Sequence, residues 1–191
     1  VDVSFRIKEH NKLYVRRITF TGNQHFSDDD LKDIVMTSEK SGFAWLTESG
    51  ILKRDKLEVD SDMIAAFYLN HGFMDVRVGS PEITYDEEGI YINFPINEGG
   101  RFRVGKVEVT GKDVEPDVRL LNRIKLSKKK YFHREVLARD LERLTDYYTS
   151  QGYAFAEVEP NIARDRTKQV VDVNYQVKKG ELVDFGRIEI S

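Results

Sequence analysis

The sequence predicts an α+β protein made of two tandem β-α-α-β-β units, each a three-stranded mixed sheet covered on one face by two antiparallel helices. Three observations predict it. A strand-link-strand junction occurs three times, a helical stretch occurs twice, and inside each unit the apolar period changes from two to about 3.6 and back. The junction reads Phe5–Glu9 then Val15–Gly22, Phe94–Glu98 then Val104–Gly111, and Tyr175–Lys179 then Phe185–Ser191. The helical stretch repeats at an offset of 80, with Leu57, Ile64, Tyr68, Gly72 and Phe73 falling on Leu137, Leu144, Tyr148, Gly152 and Tyr153.

Each unit opens with a short strand, Val15–Thr21 or Val104–Thr110, stopped by a glycine. Ser27 is placed to cap a first helix, and Asp28, Asp29 and Asp30 put negative charge at its N-terminus. Leu31, Ile34 and Val35 supply its apolar face, as Val118, Leu121 and Ile124 do in the second unit. The second helix carries one stripe of Leu57, Ile64, Tyr68 and His71, matched by Leu137, Leu141, Leu144 and Tyr148. Gly72 and Gly152 stand where a helix end needs positive φ. Two strands close each unit. The first runs Phe73–Thr84 or Tyr153–Ala163. The last alternates Ile90, Ile92, Phe94 and Ile96, or Val171, Val173, Tyr175 and Val177, with polar neighbours. Direction counting makes the last strand central and parallel to the first, so the middle strand lies at an edge with unpaired N–H and C=O groups.

Composition narrows the function. With 191 residues, 40% hydrophobic and 33% charged, the chain is globular. A net charge of -3 and a pI near 5.9 give no broad basic field for nucleic acid. There is no cysteine, which excludes disulfides, thiolate zinc sites and cysteine nucleophiles. The four histidines lack ligand-like spacing, and the glycines lack phosphate-cradling order. No catalytic constellation, metal site or cofactor is predicted. The chain opens directly in strand alternation, which predicts a portion of something longer.

These residues resemble a known family. Ile18–Asn23 with Phe26-Ser27, Tyr68–Phe73, Val107–Gly111 and Tyr147–Tyr153 are similar to tandem POTRA domains of the BamA family of outer-membrane protein assembly factors. They look most like its second and third POTRA, with the helix connection Gly42–Leu46 and the closing run to Gly99 favouring the second. The domain division is then 13–99 and 100–181. The resemblance implies that residues 1–12 are the closing strand of a preceding unit, and 182–191 the opening strand of a following one. The resemblance implies a periplasmic portion of an outer-membrane protein, joined to the membrane through a C-terminal β-barrel outside this chain. It implies a polypeptide-binding scaffold that receives nascent outer-membrane proteins and docks accessory assembly lipoproteins. POTRA regions of two-partner secretion or TamA-like transporters share the pattern, and a structural spacer without client contact is the plainer alternative.

The candidate partner-binding residues lie on the edge strands: Phe73, Asp75 and Arg77 in the first unit, and Tyr153, Phe155, Glu157 and Glu159 in the second. Backbone capture there accounts for tolerance of many client sequences, while an edge protected by neighbouring units is the alternative. Phe43, Trp45 and Leu46 form either a partner patch or, more simply, a cluster folded onto its own helices. The basic run Lys125, Lys128, Lys129, Lys130, His133 and Arg134 either steers acidic partners or lipid headgroups, or is a solvated helix connection.

Overall fold

In a computed structural model, the described residues are 14–39, 54–112, 114 and 118–183. The expected elements of residues 1–13 and the cluster Phe43, Trp45 and Leu46 lie outside them, as do residues 184–191. The chain divides into two compact units, residues 1–65 with 77–98, and residues 66–76 with 99–191.

The first unit begins with β1 (Val15–Thr21) and α1 (Asp28–Lys32). Ser27 caps α1 in a closed box: its Oγ accepts from the Asp30 N–H at 3.2 Å, and Asp30 Oδ2 accepts from the Ser27 N–H at 2.9 Å. The Ser27 hydroxyl, then its N–H, hold the Asp30 carboxyl below its ordinary pKa. The helix is only five residues long, so Leu31 alone of the expected face is helical and fully buried. Ile34 and Val35 lie beyond its end, half-buried.

The long α2 (Arg54–Asn70) follows, with Leu57, Ile64 and Tyr68 buried along one stripe. It stops where Gly72 takes φ +95, which lets the Phe73 and His71 N–H groups return to the Tyr68 carbonyl at 3.1 and 2.9 Å. Gly152, at φ +92, repeats this: the Tyr153 and Gln151 N–H groups reach the Tyr148 carbonyl at 3.2 and 3.0 Å. Then come β2 (Arg77–Val78), β3 (Glu82–Tyr85) and β4 (Ile90–Asn97). The central strand is β4, parallel to β1 and antiparallel to both β2 and β3. Ile92, Phe94 and Ile96 are buried, as are Ile18, Phe20 and Leu31, and the Phe20 and Phe94 rings stack at 5.7 Å.

The second unit has β5 (Arg103–Gly111), α3 (Val118–Arg123), a 3-10 turn (Leu126–Lys128), α4 (Arg134–Thr149), β6 (Glu157–Asp165) and β7 (Val170–Lys178). Its sheet order is β5-β7-β6, with β7 parallel to β5 and antiparallel to β6. Val171, Val173, Tyr175 and Val177 pack against Leu137, Leu144 and Tyr148. The expected α3 face is corrected by one residue: Leu121 is 44% exposed, while Leu120 and Ile124 are buried. With only six residues in the helix, the i, i+4 pair that meets the core sets its rotation.

A buried carboxylate fastens the two helical segments in each repeat, and the sequence reading did not single it out. Asp60 and Asp140 have no exposed surface. Asp60 accepts from the Met36 and Thr37 N–H groups at 2.6 and 3.2 Å. Asp140 accepts from the Lys125 and Leu126 N–H groups at 2.9 and 2.8 Å, from Arg143 Nη1 at 2.7 Å and from the Tyr175 hydroxyl at 3.2 Å. Burial, then the Asp140 charge, push the Tyr175 phenol above its ordinary pKa.

Removing Asp140 strands a buried and a part-buried main-chain donor and a guanidinium, so D140A is expected to cost about 3–5 kcal/mol in urea denaturation followed at β7 amides. A loss under about 0.5 kcal/mol would contradict this role. Y175F should cost about 1 kcal/mol at neutral pH. The raised folded pKa means stability is full below the unfolded value near 10.0 and falls as pH rises beyond it. In Y175F that part of the alkaline loss should disappear.

Candidate polypeptide-binding edge

A sheet edge binds a peptide through backbone groups that point away from the sheet, so the geometry of each edge decides its chemistry. At the edge of β1, the Ile18 N–H is occupied by Glu39 Oε1 at 2.9 Å. At the edge of β5, the Val104 N–H reaches the Lys130 carbonyl at 3.1 Å, and Arg103 bridges to Tyr131.

The opposite edge differs between repeats. In the first, β2 and β3 are separate strands. Arg77 and Val78 pair with Asn97 and Ile96, Glu82 pairs with Asn93, and the register slips by one residue between them. The cause is Pro95 on the central strand. Its carbonyl accepts from the Gly79 N–H at 2.8 Å, so Pro95 faces the edge, where it has no N–H to give. Pro81 adds a second missing donor.

In the second repeat Gln176 replaces Pro95 and pairs with Glu159. The ladder is then continuous, from Glu157 with Lys178 to Asp165 with Val170. Pro160 lies in the middle of β6, opposite Tyr175. An unbroken ladder requires its missing N–H to face outward. By alternation, the outer side presents N–H groups of Val158, Ile162 and Arg164, and carbonyls of those three and Pro160. Among the described residues no backbone group pairs with that side.

Side chains divide by face. Val158 and Ile162 are half-buried against the core, whereas Glu157, Glu159, Asn161 and Ala163 are exposed. Lys178 Nζ sits 2.9 Å from Glu159 Oε2 and 3.8 Å from Glu157 Oε2. Its hydrogen bond to Glu159 raises the Lys178 pKa.

Of the expected edge residues, Arg77, Glu157 and Glu159 lie in strands, and four do not. Phe73 is fully buried at the end of α2 and bridges to Arg101. Asp75 precedes β2 and pairs with Arg164 at 3.0 Å and Arg166 at 3.2 Å. Tyr153 is half-buried with its ring 6.4 Å from Tyr148, and Phe155, 74% exposed, precedes β6. The strands start late because the residues after each helix close local turns: Val76 N–H to Phe73 carbonyl at 3.3 Å, and Ala156 N–H to Tyr153 carbonyl at 3.0 Å. Pro95, Pro160, Val158, Ile162 and Arg164 were missed, although a proline inside an alternating run was the available signal.

The POTRA profile, described as a surface antigen variable number repeat, matches residues 13–99 and 102–180. The chain belongs to the POTRA family. Its two POTRA repeats are 38% identical over 186 residues to the outer membrane protein assembly factor BamA of Nitratidesulfovibrio vulgaris, covering 95% of this chain and 24% of that protein. The identity to BamA of Neisseria meningitidis is 28% over 194 residues, covering 100% and 24%. The chain thus spans about a quarter of the length of these relatives. The POTRA3-5 structure of Haemophilus influenzae BamA overlays with a TM-score of 0.66 at 18% identity, covering 89% of this chain and 67% of that one. BamA from Haemophilus ducreyi lacking POTRA domains 1-3 overlays at 0.64 and 20% identity, covering 86% and 29%. At such identities these overlays establish the fold. Among the described residues, no group of three or more His, Cys, Asp or Glu is placed to hold a metal ion, and no helix is long and apolar enough to cross a membrane.

The alternation on β6 is measurable by native-state hydrogen exchange. The N–H groups of Glu159, Asn161 and Ala163 should exchange at least about tenfold more slowly than those of Val158, Ile162 and Arg164. Equal rates would remove the assigned open side.

Proposed function

We propose that this chain is a periplasmic, non-catalytic polypeptide-binding scaffold of an outer-membrane β-barrel assembly factor. Its repeats, 13–99 and 100–181, act between flanking units of the same kind. Nascent outer-membrane proteins and accessory assembly lipoproteins are its partners, and extended segments of them join the outer side of β6. The observation that carries this reading is the uninterrupted nine-residue pairing of β6, with one side unpaired among the described residues.

Backbone hydrogen bonds supply affinity without reading side chains, which suits a receiver of many sequences. Each is worth only about 1 kcal/mol net, so binding is weak and reversible. Pro160 limits the outer side to three donors across its central stretch. Glu157 and Glu159, near one end of the strand, disfavour acidic segments there and keep two copies from pairing edge to edge. Phe155, exposed just before β6, offers an apolar contact for a side chain of the added strand. Arg77 begins the interrupted edge of the first repeat, which offers a shorter ladder. The first repeat is the weaker receiver on this reading.

The test is an amide NMR titration with a peptide copied from an outer-membrane β-strand. Shifts should concentrate on Val158–Arg164. P160V, which restores one outward N–H, should tighten binding about two- to tenfold, and R164P, which removes one, should weaken it by a similar factor. Shifts concentrated away from β6 would reject strand addition. No shift at millimolar peptide would make the two repeats a spacer.

A further inference from the structure

Strand addition does not use the basic run between α3 and α4, and the fold brings that run into a concave site. Lys125, Lys128, Lys129, Val136, Arg139 and Arg143 line a concavity of about 390 Å³. Five of the six are cations, and none is an acid. The buried Asp140 carboxylate holds it together, accepting from the Lys125 N–H at 2.9 Å and binding Arg143 Nη1 at 2.7 Å. On the exposed rim, Arg139 pairs with Glu135 at 3.3 Å. Among the described residues, Lys125, Lys128 and Lys129 form no ion pair. Three lysines therefore share the lining of one depression with two arginines. Asp140 is the acid bound beneath them.

The fold does not require this charge. In the first repeat Asp60 holds Met36 as Asp140 holds Lys125, and the offset of 80 puts Val59 and Met63 at the places of Arg139 and Arg143. Those three are 52%, 45% and 37% exposed. One scaffold position thus carries an apolar surface in one repeat and a cationic one in the other. Glu135 and Asp140 offset the two arginines, but like charges placed together repel, so the three lysines left without a counter-charge call for an anion.

We propose that the concavity between the 3-10 turn and α4 is a binding site for a phosphomonoester group. This does not rest on strand addition. A phosphomonoester puts about -1.5 to -2 charge and three strong acceptor oxygens on one centre, so several cations converge on it at once. An acidic peptide spreads single charges along a line. Arg139 and Arg143 supply planar, paired donors for two oxygens, and the lysines act as point charges around the third. Val136 gives an aliphatic wall for the esterified carbon chain. Such a group can arrive on a lipid headgroup or on a soluble metabolite, and the fold binds the shared chemistry.

The test is an amide NMR titration of the full 191-residue chain with glycerol 3-phosphate, beside sedimentation with vesicles of phosphatidate in phosphatidylcholine. Saturable shifts should centre on Lys125–Lys129, Val136, Arg139 and Arg143. K128E/K129E should raise the Kd at least about tenfold, and R139Q severalfold, with the β6 and β7 amides unmoved. Stronger retention on phosphatidate vesicles than on phosphatidylcholine alone assigns the lipid source, and equal retention assigns the soluble one. The proposal is overturned if the shifts scatter over the surface, or if K128E/K129E leaves the Kd within twofold. It is also overturned if a triglutamate peptide moves the same amides at equal or lower concentration, because the site then belongs to acidic polypeptides.

Discussion

A carboxylate with no exposed surface sits on the second helix of each repeat and holds the end of the first helical segment by its backbone N–H groups. Burying such a charge is costly unless donors surround it, and here they are mostly main-chain donors with no other acceptor among the described residues. Those N–H groups belong to the turn leaving a helix of five or six residues, too short to persist alone. The interaction therefore works both ways. The loop neutralises the cost of the aspartate, and the aspartate gives the short helix a fixed place over the sheet. In the second repeat the network also takes in Arg143 and Tyr175, tying α4 and the central strand to the same anchor.

With the helical layer fixed, sheet chemistry is left to the strands, and single residues there have large consequences. Pro95 in the central strand removes one donor and splits the facing edge into two short pieces offset by one residue. Gln176 at the matching place keeps its N–H, and the facing edge runs for nine residues. Proline on the edge strand itself acts differently. Pro160 leaves the ladder intact because its missing donor faces away from the sheet, where it blunts the open side without closing it. The same imino acid thus shortens one edge and moderates the other, according to which neighbour its nitrogen faces.

The helical faces diverge in a similar manner. Once a buried aspartate and an apolar stripe have specified α2 and α4, their outward positions are not needed for folding. Val59 and Met63 occupy those positions on α2, beside the Met36 that Asp60 holds, and Arg139 and Arg143 occupy them on α4, beside the Lys125 that Asp140 holds. Repeats of one fold can then differ in what they bind while sharing a core.

Much of this protein was determined by its sequence. Periodicity and the repeat offset gave the element order, the central parallel strand, the Ser27 cap and the helix-ending glycines, because each depends on local geometry or on alternation along a few residues. Asp60 and Asp140 were also legible at the offset of 80, but burial is invisible in a charged residue until its donors are placed around it. The start of each edge strand was not legible. Phe73 and Tyr153 are apolar enough to extend the alternating run, yet local turns after the helix hold them beneath its end. Only the tertiary structure decided that Leu120 rather than Leu121 faces the core, that Pro160 points outward, and that three lysines and two arginines surround one concavity. Each of these depends on which groups meet across distant segments, and a linear pattern specifies periods along the chain, not the partners that meet across it.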